Sequence, residues 1–130
     1  MGARHRILIV EDDRFLRRAC QAGLEQRGYT VTTAQDGAEG LRLAQAELPD
    51  LILLDLLMPK LPGIEVLRAL KAGEETRAIP VLILSNSSRD LDINLVQELG
   101  AVGSLVKANL SLQDLGERVK RILEAPGDDA

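Results

Sequence analysis

"LILLD", residues 51–55, is the stretch on which the fold turns. Large aliphatic side chains occupy every position from Leu51 to Leu54. In an extended chain they point alternately to both faces, as in a strand buried on both sides inside a parallel sheet. The run then meets a carboxylate, Asp55, followed by more apolar residues in "LLMP" (56–59). A buried carboxylate without a partner is costly or takes up a proton. The strand therefore ends at Asp55, or a cation meets it there.

Working outward, "PVLIL" (80–84) repeats the texture of "LILLD", and "RILIV" (6–10), "TVTTA" (30–34) and "GSLVK" (103–107) are further strand-length runs. Helical spacing fills the gaps. Leu16, Ala19, Cys20, Gly23 and Leu24 share one face, as do Ala38, Leu41, Ala44 and Leu48. Ile64, Leu67 and Leu70 follow, then Leu91, Leu95 and Leu99, and last Leu112, Leu115, Val119 and Ile122. Asp36 before Glu39 and Ser111 before Asp114 read as capping boxes. Gly28 reads as a left-handed residue closing the first helix, and Pro80 as the opening of a strand.

Five strands alternating with five helices predict an α/β protein, a doubly wound parallel sheet joined by right-handed crossovers. "LILL" and "VLIL" belong in the centre and the more polar "TVTTA" at an edge, which fits strand order 2-1-3-4-5.

Bulk composition narrows the function. The chain has 130 residues and a formal net charge of −4, so one domain is expected and no basic footprint for nucleic acid is evident. Phe15 and Tyr29 are its only aromatics, too few for a base-stacking platform. Cys20 is the single cysteine, which excludes an intrachain disulfide and reads as a core residue in a reducing compartment. "ILIV" is too short for a signal-peptide core and no run approaches a membrane span, so a cytoplasmic protein with no membrane contact is expected.

In such sheets ligands bind beyond the carboxyl ends of the strands. Strand one ends in Glu11, Asp12 and Asp13, strand three in Asp55, strand four in Ser85 and Asn86, and strand five in Lys107. Each has a plain reading: acids at a helix start, a turn aspartate, a turn hydroxyl, a solvated lysine. Together they fall at one end of neighbouring strands. Three close carboxylates cannot all stay ionised without a partner. Mg²⁺ suits them, since it takes one or two carboxylates, keeps waters and favours phosphate oxygens.

With these residues in view, the sequence resembles the receiver domains of two-component response regulators over residues 5–124. The resemblance rests on "ILIVEDD" (7–13), "DLLMPKLPG" (55–63), "PVLILS" (80–85) and "GAVGSLVK" (100–107). It implies a flavodoxin-like fold and one receiver domain across 1–130, with 125–130 as a tail or linker stub. It also implies Mg²⁺-dependent phosphoryl transfer from a sensor histidine kinase or phosphotransfer protein onto Asp55. Asp12 would then bind Mg²⁺ directly, Glu11 through water, and Asp55 and the backbone carbonyl of Leu57 would complete the metal site. Ser85 would hydrogen-bond the phosphoryl group, Lys107 would pair with it, and Asp13 would be a solvated acid outside the set. The output protein or domain is left open. The domain itself would be a phosphoacceptor without turnover, with no direct contact to nucleic acid.

Departures from the family pattern carry expectations of their own. Ala108 stands where the family has a proline after a cis bond; a cis bond here would cost about 3–4 kcal/mol, so either strain is stored or the bond is trans. Ser104 occupies the aromatic switch position, which leaves the loop "SNSSRD" (85–90) to couple to the output. Asn86 replaces a small residue. Leu57 offers no polar group for hydrolytic water, so a long-lived phosphate is expected. The alternatives are a degenerate receiver that binds a partner without phosphorylation, and a hydrolase of the haloacid dehalogenase kind. The latter needs a second acid where Leu57 stands.

Overall fold

The chain runs β1 (Arg6–Val10), α1 (Arg14–Gln26), β2 (Thr30–Ala34), α2 (Gly37–Glu47), β3 (Leu51–Asp55), α3 (Gly63–Ala72), β4 (Val81–Ser85), α4 (Ile93–Glu98), β5 (Gly103–Val106), a 3-10 turn (Lys107–Asn109) and α5 (Leu112–Glu124). The structure is a computed structural model that describes residues 4–58, 60–86 and 93–124. The tail 125–130, loop residues 87–90 and Leu91, all part of the sequence reading, lie outside the described residues.

The strands form one parallel sheet in the order β2-β1-β3-β4-β5, as the polarity of the strands implies. Every residue of β3 and β4 is buried, whereas β2 buries only Ala34 completely. Alternation along the strands splits the core in two. Leu8, Val10, Ile52, Leu54, Val81 and Ile83 face Ala44 of α2, Val66, Leu67 and Leu70 of α3, and Val96 of α4. Ile7, Ile9, Leu51, Leu53, Leu82 and Leu84 face Cys20 and Leu24 of α1, and Leu115 and Val119 of α5. Each such Leu, Ile or Val contributes about 1.5–3 kcal/mol by leaving water. That sum is what makes burial of polar strand ends tolerable.

The helix ends follow local chemistry. Asp36 caps α2 by accepting from the Glu39 amide at 2.9 Å, while the Glu39 carboxylate accepts from the Gln35 amide at 2.9 Å. Ser111 Oγ accepts from the Asp114 amide at 3.0 Å. Gly28 follows α1 with φ +99°, the left-handed conformation expected of it. Pro80 directly precedes β4, and its carbonyl accepts from the Ile52 amide at 3.0 Å.

Several helix faces differ from the periodic reading. Ala38 and Leu48 are exposed; α2 buries Ala44, as its spacing implied, together with Gly37 and Gly40. The close approach of the backbone explains this. A side chain on Gly40 would run into Val10, and one on Gly37 into the backbone carbonyl of Leu61. Leu48 lies past the helix as its left-handed cap, with φ 49°. Ala19 is exposed on α1, whose buried residues are Cys20 and Leu24, and Leu112 stays 44% exposed at the start of α5. "GSLVK" is one residue too long as a strand: Lys107 begins the 3-10 turn.

Candidate functional site

Register brings the chemistry together. Val10 pairs with Leu54, Asp55 with Leu84, and Ser85 with Val106, so the residues that follow these pairs emerge on one rim of the sheet. Glu11 is fully buried, its amide tied to the Ala34 carbonyl at 3.1 Å. Asp55 is 1% exposed and Asp12 is exposed. One carboxylate oxygen from each of Glu11, Asp12 and Asp55 lies within 4.8 Å of the others.

Lys107 bridges this cluster from the far side of the sheet. Its Nζ donates to Glu11 Oε2 at 3.0 Å, lies 2.9 Å from Glu11 Oε1, and forms an ion pair with Asp55 Oδ1 at 3.1 Å. The Lys107–Ala108 bond is trans, as are all peptide bonds among the described residues. The lysine reaches both acids from the head of the 3-10 turn rather than from the strand. Ser85 is buried at the end of β4, Asn86 is exposed, and Ser104 is half-buried opposite Ile83. Leu57 is 52% exposed and its amide donates to Asp55 Oδ1 at 3.3 Å.

Electrostatics follow from this crowding. Burial, and then the negative charge of Glu11, push the Asp55 carboxyl up from 3.8 to about 7, with Lys107 acting in the opposite direction. Burial alone would lower the Lys107 ammonium, but its hydrogen bond and charge interaction with Glu11, and then with Asp55, outweigh that and raise it. Asp55 Oδ2 is buried without a hydrogen-bond partner. One ammonium thus pairs with two of the three carboxylates, and among the described residues Glu11 Oε1 as well as Asp55 Oδ2 is buried without a hydrogen-bond partner. An oxygen-seeking divalent cation fits this donor set.

Asp13, read as an acid at a helix start and as a solvated acid outside the set, is exposed and caps α1: its Oδ1 accepts from the Phe15 amide at 2.9 Å and the Leu16 amide at 3.1 Å, and its own amide donates to Glu11 Oε2 at 3.0 Å. The Asp was visible, but Leu16 stands where a capping box would have Glu. Arg17 Nη1 donates to the Glu11 carbonyl at 3.0 Å and to the Asp12 carbonyl at 3.4 Å, a contact that no spacing rule announces. The loop after Asp55 is held as well. The Gly63 amide donates to the Leu56 carbonyl at 2.9 Å, and Lys60, at φ 70°, forms a 3.5 Å ion pair with Asp36.

The fold and the rim define a doubly wound α/β protein with an aspartate-centred acidic site at the carboxyl end of its sheet. Residues 7–120 match the response regulator receiver domain, and the chain belongs to that family of two-component signalling proteins. It is similar to the alkaline phosphatase synthesis transcriptional regulatory protein PhoP of Bacillus subtilis, at 41% identity over 118 residues, covering 91% of this chain and 48% of the relative. It is also similar to the transcriptional regulatory protein PrrA of Mycobacterium tuberculosis, at 41% identity over 125 residues, covering 96% and 52%. The chain therefore spans about half the length of these curated relatives. Among solved structures, the Vibrio cholerae chemotaxis protein CheY4 superposes with a TM-score of 0.86 at 30% identity, covering 93% of this chain and 100% of that one. The signal receiver domain of a Syntrophus aciditrophicus histidine kinase gives 0.82 at 33% identity, covering 95% and 92%. No helix among the described residues is long and apolar enough to cross a membrane.

Proposed function

We propose that Asp55 takes a phosphoryl group from the phosphohistidine of a sensor histidine kinase or phosphotransfer protein, in a Mg²⁺-dependent step, and that the change is passed to an output partner or domain. The observation that carries this is the gathering of Glu11, Asp12 and Asp55 oxygens within 4.8 Å, with Lys107 between Glu11 and Asp55. Glu11, Asp12, Asp55 and the Leu57 carbonyl would hold the cation. When bound, it supplies positive charge to the phosphoryl oxygens and to the crowded carboxylates.

The chain's own residues do the rest. An Asp55 carboxylate oxygen attacks phosphorus, and the bond from phosphorus to the donor's imidazole nitrogen breaks. Lys107 offers its ammonium to the phosphoryl charge, and Ser85 a hydroxyl donor. The close packing around Asp55 fixes the nucleophile before the donor arrives, which is where positioning lowers a barrier. Asp55 is consumed and restored by dephosphorylation, so the domain acts as a phosphoacceptor rather than a turnover enzyme. The reading takes residues 1–130 as one receiver domain, cytoplasmic and without its own contact to nucleic acid. PhoP and PrrA are transcriptional regulatory proteins about twice the length of this chain, which supports an output beyond this domain.

Intact mass after incubation with a small phosphodonor and Mg²⁺ tests this. One added phosphoryl mass, absent in Asp55→Asn, is expected. An unchanged mass beside a labelled control receiver would favour the degenerate, partner-binding alternative.

A further inference from the structure

We infer that Arg17 is a positioning residue for the cation site, acting through the backbone of the loop that presents Glu11 and Asp12; this rests on the receiver reading above. The loop leaves β1 at Glu11, where the ladder ends, so the carbonyls of Glu11 and Asp12 need donors from elsewhere. Arg17 supplies both from one guanidinium nitrogen, at 3.0 and 3.4 Å.

The placement runs against local rules. Arg17 lies at the start of α1, whose first turn holds no acid, although the positive end of a helix disfavours a cation. It is half-buried, whereas Arg14 and Arg18 are exposed. A local rule broken beside a functional site points to a compensating role. Asp12 gives that role substance. Its side chain is exposed, so packing does little to aim its carboxylate, and the two peptide planes around it set the direction in which it leaves the chain. The Asp13 amide bonded to Glu11 Oε2 and the Asp13 cap fix the other end of the same loop. Arg17 closes the frame.

Charge and position predict opposite effects. A guanidinium near a cation site repels Mg²⁺, so if charge alone mattered its removal would tighten binding. If Arg17 aims the loop, its removal loosens binding despite the lost repulsion.

Titration calorimetry of Mg²⁺ into the 130-residue chain, paired with melting in EDTA and amide hydrogen exchange across residues 11–13, separates the two. Arg17→Met is expected to weaken Mg²⁺ affinity about tenfold and to speed exchange at Asp13. Arg17→Lys is expected to fall between it and the wild type, and Arg18→Met to bind no more weakly than the wild type. Equal or tighter binding by Arg17→Met overturns the inference, as does an equal loss in Arg18→Met. A lower melting temperature with unchanged affinity overturns it too, leaving a purely structural arginine. If Arg17→Met does not fold, wild-type affinity in Arg17→Lys overturns it. No saturable binding by the wild type sinks the Mg²⁺-dependent phosphoacceptor reading, and this inference with it.

Discussion

Replacing Asp55 by Asn should make the metal-free protein more stable at neutral and alkaline pH. The wild-type carboxyl binds its proton in the fold with a pKa of about 7 rather than 3.8, because burial and Glu11 oppose its charge. At roughly 1.4 kcal/mol per pH unit, keeping it ionised above pH 7 costs the fold about 4 kcal/mol. The amide escapes that cost, but its buried NH₂ still needs an acceptor, which offsets about 1–3 kcal/mol. A net gain of about 2 kcal/mol is expected. The sign with pH follows from the raised value. Well below 3.8 the wild-type group is protonated in folded and unfolded chains alike, and its ionisation costs nothing. Between 3.8 and about 7 the unfolded chain releases the proton first, so the wild type loses stability as pH rises; above that the loss is complete. Urea unfolding of both proteins in EDTA, from about pH 5 to about pH 8, should show the gap opening through this window and then levelling. Saturating Mg²⁺ should shrink it, since the wild type gains more from a ligand that binds the folded state. A variant less stable than wild type at the alkaline end, or a gap of one size throughout, would refute the electrostatic account.

Further outcomes concern the surroundings of Asp55. Gly63→Ala places a methyl group against the Asp55 carbonyl and 2.6 Å from Leu56 Cα, so it should cost about 1–3 kcal/mol in urea unfolding; an unmoved midpoint would count against the packing. Cys20 is fully buried and its thiol is pushed up to about 11, by burial first and Glu11 second, so a thiol reagent should label it only as fast as the chain unfolds. Prompt labelling of the native protein would contradict that. Leu57→Asn, which adds a polar group at an exposed position two residues beyond Asp55, should shorten the life of the form phosphorylated as proposed in a dephosphorylation time course; equal rates would remove the reasoning.

Much of the architecture was legible because the strands carry a strong signal. "LILLD" and "VLIL" are apolar on both faces and could only be central, and the polarity of "TVTTA" marked an edge. Helix faces were read less well where glycine does the packing. Gly37 and Gly40 are buried because neighbouring atoms occupy the space of a side chain, and no hydropathy pattern records that. Periodicity therefore favoured Ala38 and Leu48, which face solvent. The acids and the lysine of the rim were legible as strand ends, since parallel topology delivers such residues to one edge. Arg17 was not, because its partners are main-chain carbonyls, identical at every position of a sequence. The 3-10 turn at Lys107 was also hidden: a lysine after four strand residues reads as a fifth until the hydrogen-bond ladder is seen to stop at Val106.

The contact between Gly37 and the Leu61 carbonyl has a bearing on engineering. Grafting this chain's 56–62 loop into another receiver, to alter how long a signal persists, transplants only half of an interlocked pair. The donor's main chain must dock on a second segment some twenty positions upstream, and any side chain there would prise the graft outward. Chimeras that carry residue 37 along with the loop should fold with the aspartate at the end of β3 correctly seated, whereas those that exchange the loop alone inherit a mismatch wherever the recipient lacks glycine.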